Sequence, residues 1–471
     1  MSGTGALTTP TGGGSLFLTA GSNGITVSAP IKDNGGAVTL VKSGSGTLTL
    51  SSTTSTYSGG TVVNAGGLTF TSDSNFGAAS GAVTVNGSCN FNVPNFNSYV
   101  ITPPGTTFFS GRTLTLNNGA VVTVNSGLTD YQFAIAGPVV GTGGFTMNGN
   151  QWNAIFLTST ANTFTGPVTI NGGNQVGIFS VASIGDGSHI KFLYGNSTNP
   201  TYNKGGFYFQ GGNAPMVLNN RYILLANTAA NGADAVYNNN ASAANTLTIN
   251  TDLLVNTPLA AQTLRLDGTN TGDNTFAGRI SDGPGTVVSL EKGGGTAAST
   301  GTWILSGTNT YTGTTTVSGG KLILSNAWSV ASGKLDVKSG AKVQLDYTGS
   351  RPVAEFYTNN FKAASGIYNN ANAPAYILGA GSIMVGIETF TVTYTGNGNT
   401  GGAAPVDPNA YTNNATVTVL GGGTLTKDNW SFGGWSIQDG PTYAPGSTFQ
   451  ITTNTTMSAI WRPAGTFIQF M

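Results

Sequence analysis

Apolar and polar side chains alternate along short stretches of the chain, which are separated by turns rich in glycine and asparagine. Leucine alternates with threonine in residues 47–50 and 113–116, and valine flanks Thr123 in residues 122–124. A period of two places alternate side chains on opposite faces of a β-strand, so the apolar ones would point inward. No segment has a convincing 3.6-residue period. We therefore predict an all-β protein with almost no helix.

The strand pattern repeats along the sequence. Residues 46–70 and 301–324 keep register from Tyr57 and Tyr311, since each tyrosine is followed by Gly, Val and Leu at the same offsets. A motif of Asn or Ser, Thr, an aromatic residue, any residue and Gly occurs at 55–59, 162–166, 274–278 and 309–313. Asn and Gly favour turns, and the ring would close the core beside the turn. Such repeats predict a solenoid, in which each unit buries its apolar face on its neighbours.

Composition narrows the classes of function. Only 7% of the 471 residues are charged, and 17 basic side chains balance 17 acidic ones. A chain without a basic face is poorly suited to nucleic acid or to an anionic membrane surface. No run approaches the roughly 20 apolar residues of a spanning helix. We therefore predict no nucleic-acid partner and no membrane insertion.

The abundance of Thr, Asn, Ser and Gly favours an extracellular location, since such a composition is common in secreted bacterial β-proteins. Residues 1–20 have neither the basic start nor the long apolar run of a signal peptide. Because the composition is of the extracellular type, we expect that a signal peptide has been removed.

Candidates for chemistry are few. The single Cys89 and the single His189 exclude an intrachain disulfide and a Cys/His zinc site, and we expect Cys89 to be a small buried residue. Asp267, Asp273 and Asp282 offer oxygens for a calcium loop as an alternative. Because Asp, Asn and Gly also form turns, we favour a structural role for them. We predict no cofactor.

Two segments resemble a known family. Residues 274–283 read Asn-Thr-Phe-Ala-Gly-Arg-Ile-Ser-Asp-Gly, and residues 302–313 read Thr-Trp-Ile-Leu-Ser-Gly-Thr-Asn-Thr-Tyr-Thr-Gly. The segments 36–70 and 274–345 resemble the autotransporter-associated β-strand repeat. The resemblance implies a right-handed β-helix in a secreted or surface-displayed bacterial protein. Residues 341–386 resemble the closing segment after such repeats, so we expect a β-solenoid with its cap over residues 1–386.

Residues 389–462 change in character. The element Trp-Ser-Phe-Gly-Gly-Trp at 430–435 and the later Met-Ser-Ala-Ile-Trp at 457–461 resemble the Listeria–Bacteroides repeat, also called the internalin-type B repeat. The resemblance implies a small β-grasp-like module of a bacterial surface protein. A unit of this size needs large aromatic side chains, and we expect its core to contain Trp430, Phe432, Trp435 and Trp461. Residues 463–471 would follow as a terminal strand or tail.

These features favour a non-enzymatic extracellular structural protein, either a rigid surface stalk or a self-assembling fibre or matrix subunit. Few charges permit close self-association, so the main expected partner is the protein itself. Copies would join head to tail through the solenoid ends, or by donating a strand to a neighbour's open edge. The candidate strand consists of Thr466, Phe467, Ile468, Gln469, Phe470 and Met471.

A glycan-binding adhesin and a polysaccharide-active β-helix enzyme are the alternatives. In the adhesin, surface glycans would stack on Tyr194, Tyr202 and Tyr208. Alternation in the segment Phe207-Tyr-Phe209 places both phenylalanines inside and Tyr208 outside, although core packing is the preferred interpretation of this aromatic cluster. An enzyme would need a cleft of carboxylates with arginine or lysine, which the sequence does not display.

Overall fold

Short strands stacked in parallel, coil upon coil, form most of the molecule. The computed structural model describes residues 5–93, 107–126, 132–149, 153–171, 174–178, 184, 187–192, 206–209, 214–226, 233–256, 261–294, 299–326, 333–438 and 440–464. In these ranges the regular structure is β-strand apart from one 3-10 helix at Asp73–Phe76. Leu40 pairs in parallel with Thr61, and Thr61 with Val83, so successive coils lie on one another. The predicted all-β solenoid is confirmed.

The strands of the coiled part are given in chain order as two groups, one before residue 214 and one after it. The first group is β1 (Gly14–Thr19), β2 (Ile25–Val27), β3 (Val38–Ser43), β4 (Thr47–Leu50), β5 (Thr61–Val63), β6 (Gly66–Phe70), β7 (Val83–Val85), β8 (Cys89–Asn92), β9 (Thr107–Phe108), β10 (Leu114–Leu116), β11 (Val121–Ser126), β12 (Gln132–Ile135), β13 (Val139–Gly141), β14 (Gly144–Gly149), β15 (Ala154–Leu157), β16 (Val168–Ile170), β17 (Gln175–Ile178), β18 (Ile190–Phe192) and β19 (Gly206–Phe209). The second group is β20 (Met216–Leu218), β21 (Ile223–Leu225), β22 (Ala233–Asn238), β23 (Leu247–Ile249), β24 (Leu254–Val255), β25 (Gln262–Asp267), β26 (Asn274–Phe276), β27 (Val288–Lys292), β28 (Thr302–Leu305), β29 (Thr315–Val317), β30 (Lys321–Leu324), β31 (Lys334–Val337), β32 (Lys342–Leu345), β33 (Ser350–Val353), β34 (Glu355–Thr358), β35 (Phe361–Lys362), β36 (Gly366–Asn369), β37 (Ile377–Gly379) and β38 (Ser382–Val385).

Four sheets run along the described coils. The first sheet has the order β1-β3-β5-β7-β10-β13, and the second has β2-β4-β6-β8-β11-β14-β16-β18-β21-β24. The long sheet has the order β35-β34-β31-β29-β27-β25-β22-β19-β17-β15-β12-β9, and the fourth has β20-β23-β26-β28-β30-β32-β37. Strands in a sheet lie about 4.8 Å apart, so the long sheet extends over about 50 Å.

Inward side chains form continuous apolar columns. One column in the second sheet joins register partners from eight successive strands: Leu48, Leu68, Phe91, Val124, Met147, Ile170, Phe192 and Leu225. None of these residues exposes more than 2% of its surface. Because each coil covers the apolar face of the next, burial rather than local propensity stabilises such short strands.

Glycine allows the backbone of neighbouring coils to approach closely at the corners. Gly66 has a φ of 83°, and a Cβ atom there would lie 2.5 Å from the carbonyl oxygens of Gly44 and Gly46. Any larger residue would combine a strained backbone with a steric clash. The alternation of strand and glycine turn in the sequence is therefore a requirement of coil stacking.

Antiparallel pairs end the coiled part. Strand β35 pairs antiparallel with β34, and β36 pairs antiparallel with β38, which also lies parallel to β33. Tyr368 and Tyr376 pack against the last part of the core from this region. The segment predicted to cap the solenoid therefore contains strands that turn back on the stack.

A second core lies beyond residue 389. Its strands are β39 (Thr389–Phe390), β40 (Val392–Thr395), β41 (Tyr411–Thr412), β42 (Ala415–Thr418), β43 (Trp430–Ile437), β44 (Thr442–Tyr443), β45 (Thr448–Ile451) and β46 (Thr455–Pro463), with a sheet in the order β40-β46-β43-β44. Trp435 is fully buried, and its indole N–H donates to the carbonyl of Leu420 at 2.9 Å. Phe432 and Trp461 pack partly against this core.

One predicted core residue of this region is on the surface. Trp430 is 41% exposed and lies at the first position of β43, opposite Pro463 in β46. The ammonium of Lys427 lies 5.3 Å from the centre of its ring. The expectation that Trp430 belongs to the core is wrong, because the residue stands at the end of the strand, where the described residues leave much of its side chain exposed.

Candidate functional site

The outward face of the long sheet carries a row of polar and aromatic side chains in a chain that is otherwise poor in charge. We call this row the outer stripe; it consists of Tyr208, Tyr237, Arg265, Glu291, Asp336 and Tyr357. Strand register places Tyr208 beside Tyr237 and Arg265 beside Glu291. Thr316 then links Glu291 to Asp336, and Asp336 lies beside Tyr357. Parallel pairing thus brings together residues that are far apart in sequence.

The aromatic end of the outer stripe is covered. The rings of Tyr208 and Tyr237 are stacked at 4.3 Å with an angle of 6° between their planes, and each residue is 2% exposed. Burial raises the pKa of Tyr237 to about 12 and also raises that of Tyr208. Alternation correctly predicts that Phe207 and Phe209 point into the core. Tyr208 lies on the other face of the strand but is also buried, because its ring packs against Tyr237, which agrees with the preferred interpretation of this cluster as packing residues.

A buried ion pair follows along the stripe. The Nε and Nη2 atoms of Arg265 donate to one carboxylate oxygen of Glu291 at 3.0 and 2.8 Å, and Arg265 is 7% exposed. Burial by itself would lower the pKa of Arg265, but Glu291, Tyr237 and Asp267 together raise it above its ordinary value. The Nη1 atom of Arg265 is buried without a hydrogen-bond partner in the described residues. Because the atom is buried, it is closed to a ligand from solution.

The far end of the stripe is a charged group on the surface. One oxygen of Asp336 lies 3.4 Å from the ammonium of Lys334 and 2.9 Å from that of Lys338. Lys334 also lies 3.8 Å from the centre of the Tyr357 ring. One carboxylate thus pairs with two ammonium groups at this polar end of the stripe.

The other predicted binding residues lie outside the described ranges. Tyr194 and Tyr202, and the tail residues Thr466, Phe467, Ile468, Gln469, Phe470 and Met471, are among the residues whose structure is not described. Sequence analysis missed Tyr237, Arg265 and Glu291. The alternation in Gln262–Asp267 contains the signal, since it places Arg265 on the outward face, but the partner of Arg265 is fixed only by strand register.

The aspartates considered for a calcium loop accept hydrogen bonds from nearby backbone and hydroxyl groups. One oxygen of Asp282 accepts from the N–H of Val288 at 2.7 Å, and the other accepts from the hydroxyl of Thr312 at 2.7 Å. Asp267 is 1% exposed and accepts from the N–H of Gly268. Within the described ranges, no group of three or more His, Cys, Asp or Glu side chains is arranged to hold a metal ion. These contacts of Asp267 and Asp282 are those of turn-forming residues.

Cys89 and His189 lie apart from the outer stripe. Cys89 is 4% exposed in β8, and burial raises the pKa of its thiol to about 12, so it is a small buried residue as predicted. Burial lowers the pKa of His189, whose Nδ1 lies 3.2 Å from the hydroxyl oxygen of Ser188.

The repeated five-residue motif ties each coil to an earlier one. In all four copies the first side chain accepts a hydrogen bond from a distant backbone N–H. These bonds are Ile31 to Ser55 (3.2 Å), Val139 to Asn162 (2.7 Å), Leu247 to Asn274 (2.9 Å) and Ile280 to Asn309 (2.8 Å). The aromatic residues of the four copies, Tyr57, Phe164, Phe276 and Tyr311, are all buried. We call this arrangement the coil clamp.

Buried cations perform a related task at the corners. The ammonium of Lys42 donates to the carbonyls of Ser43, Gly44 and Ala65 at 3.0, 2.8 and 2.9 Å. The guanidinium of Arg221 donates to Gly166 and Phe164 at 3.0 and 3.1 Å and lies 4.9 Å from the centre of the Phe164 ring. Buried side chains thus donate hydrogen bonds to backbone carbonyls at these corners.

A groove of about 240 Å³ lies beside β40 in the C-terminal region. The segment from Ala404 to Asp407 forms its second side, and Val406 there is 73% exposed. Asp407 is held in place by the hydroxyl of Tyr411, which donates to its carboxylate at 2.8 Å.

No helix in the described residues has the length and apolar character needed to cross a membrane.

Comparison with known proteins agrees with the repeat pattern. The sequence model of the passenger-associated-transport repeat matches residues 40–70, 156–174 and 296–324. The first and third matches contain the coil clamps of Tyr57 and Tyr311, and the second contains that of Phe164. These three segments are therefore similar to repeats associated with autotransporters.

A relative matches over a limited length. The chain is 40% identical over 77 residues to a Brucella suis protein named adhesin BmaC autotransporter, and the match covers 16% of this chain and 2% of that protein. No solved structure matches the chain. The chain thus has three segments similar to passenger-associated-transport repeats on an all-β solenoid, and it spans only a small part of the length of this relative.

Proposed function

We propose that the protein is an extracellular, non-enzymatic surface protein of the adhesin type, in which the solenoid serves as a rigid stalk. The observation that carries the proposal is the continuity of the stack. The eight-residue column from Leu48 to Leu225 and the twelve strands of the long sheet leave no break at which the described coils could hinge. A rod of this kind holds a terminal module away from a cell surface without needing a catalytic centre.

The comparisons support the surface location. Passenger-associated-transport repeats occupy three segments, and the relative from Brucella suis carries the name of an adhesin. A low charge content and a Thr- and Asn-rich surface agree with an extracellular setting. The C-terminal region, with its resemblance to the internalin-type B repeat, would be the unit that the stalk displays.

Electron microscopy tests the stalk. Negative-stain images of the purified protein should show straight rods of constant width, with an end-on unit that is lost when residues 387–471 are deleted. Surface display is tested separately by antibody labelling of intact producing cells. Compact globular particles would contradict the stalk, and labelling only after cell lysis would contradict surface display.

A further inference from the structure

The groove beside β40 lies at the edge of a sheet. In the order β40-β46-β43-β44, strand β40 is at one end, and among the described residues it pairs only with β46. Residues 391–394 form one side of the groove and residues 404–407 form the other, whereas the lining includes no described residue of β46. The groove therefore runs along the side of β40 that faces away from its neighbour in the sheet.

The backbone of β40 presents hydrogen-bonding groups to this groove. The N–H of Thr455 in β46 donates to the carbonyl of Thr391 at 2.9 Å, so alternate residues from Thr391 onward bond to β46. The N–H and C=O groups of Val392 and Tyr394 point the other way and have no backbone partner in the described part of the chain. The side chains of both residues are buried in the second core, which holds the strand in place. An edge of this kind is a template for one more strand.

The facing side of the groove is apolar along most of its length. Ala404, Pro405 and Val406 form it, and Val406 is 73% exposed. Pro405 has no backbone N–H and cannot donate to β40. A strand in the groove would therefore form its backbone hydrogen bonds with β40 and pack its side chains against this apolar side.

One negative charge lies in the groove. The carboxylate of Asp407 accepts from the hydroxyl of Tyr411 at 2.8 Å, and from the backbone N–H and the side-chain amide of Asn409 at 3.0 and 2.9 Å. All three donors are neutral, and in the described chain Asp407 takes part in no ion pair. The other lining residues are uncharged. Because Asp407 is also only 6% exposed, the groove is complementary to a single positive charge.

We propose that the groove binds an extended peptide segment of a protein partner, which adds as a strand to the edge of β40 and directs a lysine or arginine side chain to Asp407. The backbone groups of Val392 and Tyr394 bond to the added strand and supply affinity. Apolar side chains of the peptide cover Val406, and its basic side chain supplies the cation that Asp407 lacks. The partner segment is thus extended, apolar on one side and basic at one position.

The inference names the partner chemistry of the unit that the stalk would display, and it rests on the proposed function only in that respect. Peptide binding in solution does not require surface display. Compact globular particles in electron micrographs would contradict the stalk and leave peptide binding intact. Straight rods that bind no peptide would contradict the groove alone.

The test uses an array of nine-residue peptides in which valine and threonine alternate and the three central positions vary over all amino acids. The array is probed with the full chain and with the variant Asp407→Asn. The matched control is Asp428→Asn, because Asp428 is an exposed aspartate of the same region that accepts from the hydroxyl of Thr400 and does not line the groove. Thermal denaturation confirms that each variant is folded.

The strongest binder is then labelled with a fluorophore, and fluorescence anisotropy measures its affinity. Three derivatives of this peptide test the mode of binding on the natural protein, so that their results do not depend on the folding of a variant. One replaces the basic residue with glutamate. The other two carry N-methyl groups on alternate backbone nitrogens, one in each alternating frame, because only one frame can face β40.

We expect the binders to carry lysine or arginine at a central position. Glutamate there, or Asp407→Asn, should weaken binding at least tenfold, and Asp428→Asn should leave it unchanged. One N-methylated peptide should lose binding and the other should keep it. Hydrogen exchange followed by mass spectrometry should show slower exchange at Val392 and Tyr394 in the complex, with no change in β42.

Three results would overturn the proposal. Equal binding of the lysine and glutamate peptides would exclude recognition by Asp407. Equal binding of the two N-methylated peptides, or unchanged exchange at Val392 and Tyr394, would exclude addition of a strand to β40. An array without any binder would exclude peptide recognition by the groove.

Discussion

The hydroxyl oxygens of Tyr57 and Thr61 lie 2.7 Å apart inside the core, and those of Tyr311 and Thr315 repeat this contact at 2.6 Å. All four residues are at most 1% exposed. A buried phenol needs a hydrogen-bond partner, and the threonine four residues later supplies it in both copies. The tyrosine form of the coil clamp thus combines ring burial with a fixed internal hydrogen bond.

Removal of one hydroxyl from this pair should destabilise the solenoid. We expect Tyr57→Phe to lower the free energy of unfolding by about 1 kcal/mol, because the buried hydroxyl of Thr61 loses its partner. The double variant Tyr57→Phe/Thr61→Val should be less destabilised than the sum of the two single variants. Urea denaturation followed by circular dichroism gives all three values. Strict additivity would show that the two hydroxyls do not interact.

The side chain of Arg112 makes more hydrogen bonds to the backbone than any coil clamp or buried cation described above. Its guanidinium donates to the carbonyls of Phe76, Ala78, Gly81, Asp73 and Gly77 and to the carboxylate of Asp73, at distances from 2.8 to 3.2 Å. Only 3% of the residue is exposed. This one side chain supplies hydrogen-bond donors to the backbone carbonyls of the turn around the 3-10 helix at Asp73–Phe76.

Loss of that guanidinium should be costly. We expect Arg112→Met to lower the free energy of unfolding by about 3–5 kcal/mol, because several buried carbonyls and the Asp73 carboxylate lose their donor. Arg112→Lys should not restore stability, since an ammonium cannot reproduce the planar set of donors. Thermal and urea denaturation measure both variants. Arg279→Met, which removes an exposed arginine, is the control and should change stability little.

The sequence predicts the stack well but not its cross-links. The alternation of Leu48 with threonine identifies an inward position, and the column that contains Leu48 is buried throughout. The partner of Ser55 is the N–H of Ile31, which can be assigned only when the register of two coils is known. Alternation likewise places Tyr208 on the outward face but says nothing of what covers that face. A period-two pattern therefore determines to which face of the strand a side chain points. The residues that bury this side chain or hydrogen-bond to it are distant in sequence and are brought near only by folding.

Cys89 should be unreactive in the folded protein. Burial raises the pKa of its thiol to about 12, so almost no thiolate is present at pH 8. We expect no reaction with a disulfide reagent such as Ellman's reagent within an hour at pH 8, and complete reaction in concentrated guanidinium chloride. The control is Thr53→Cys in a Cys89→Ala background, because Thr53 is exposed and its cysteine should react at once. Rapid labelling of native Cys89 would contradict its burial.

Lys292 occupies an inward position between Leu266 and Val317 in the long sheet, although it carries an ionisable group. It is fully buried, and its ammonium donates to the carbonyl of Gly319 at 2.9 Å. Burial lowers its pKa to about 8. In the unfolded chain the pKa of lysine is about 10.4, so between these values the unfolded chain holds one more proton than the folded one.

Stability should consequently rise with pH in this window. Below pH 8 the folded protein bears the full cost of a buried charge, and this cost disappears as Lys292 loses its proton. We expect Lys292 to contribute a gain of about 2 kcal/mol in the free energy of unfolding between pH 7.5 and 9.5, obtained from urea denaturation at each pH. The variant Lys292→Met keeps a similar side-chain volume without the charge. Over the same pH range its free energy of unfolding should therefore rise by about 2 kcal/mol less than that of the natural protein. An equal rise in the natural protein and in the variant would show that Lys292 does not titrate in this window. The pH dependence of the free energy of unfolding would then come from other groups such as Lys42, whose pKa is also lowered by burial.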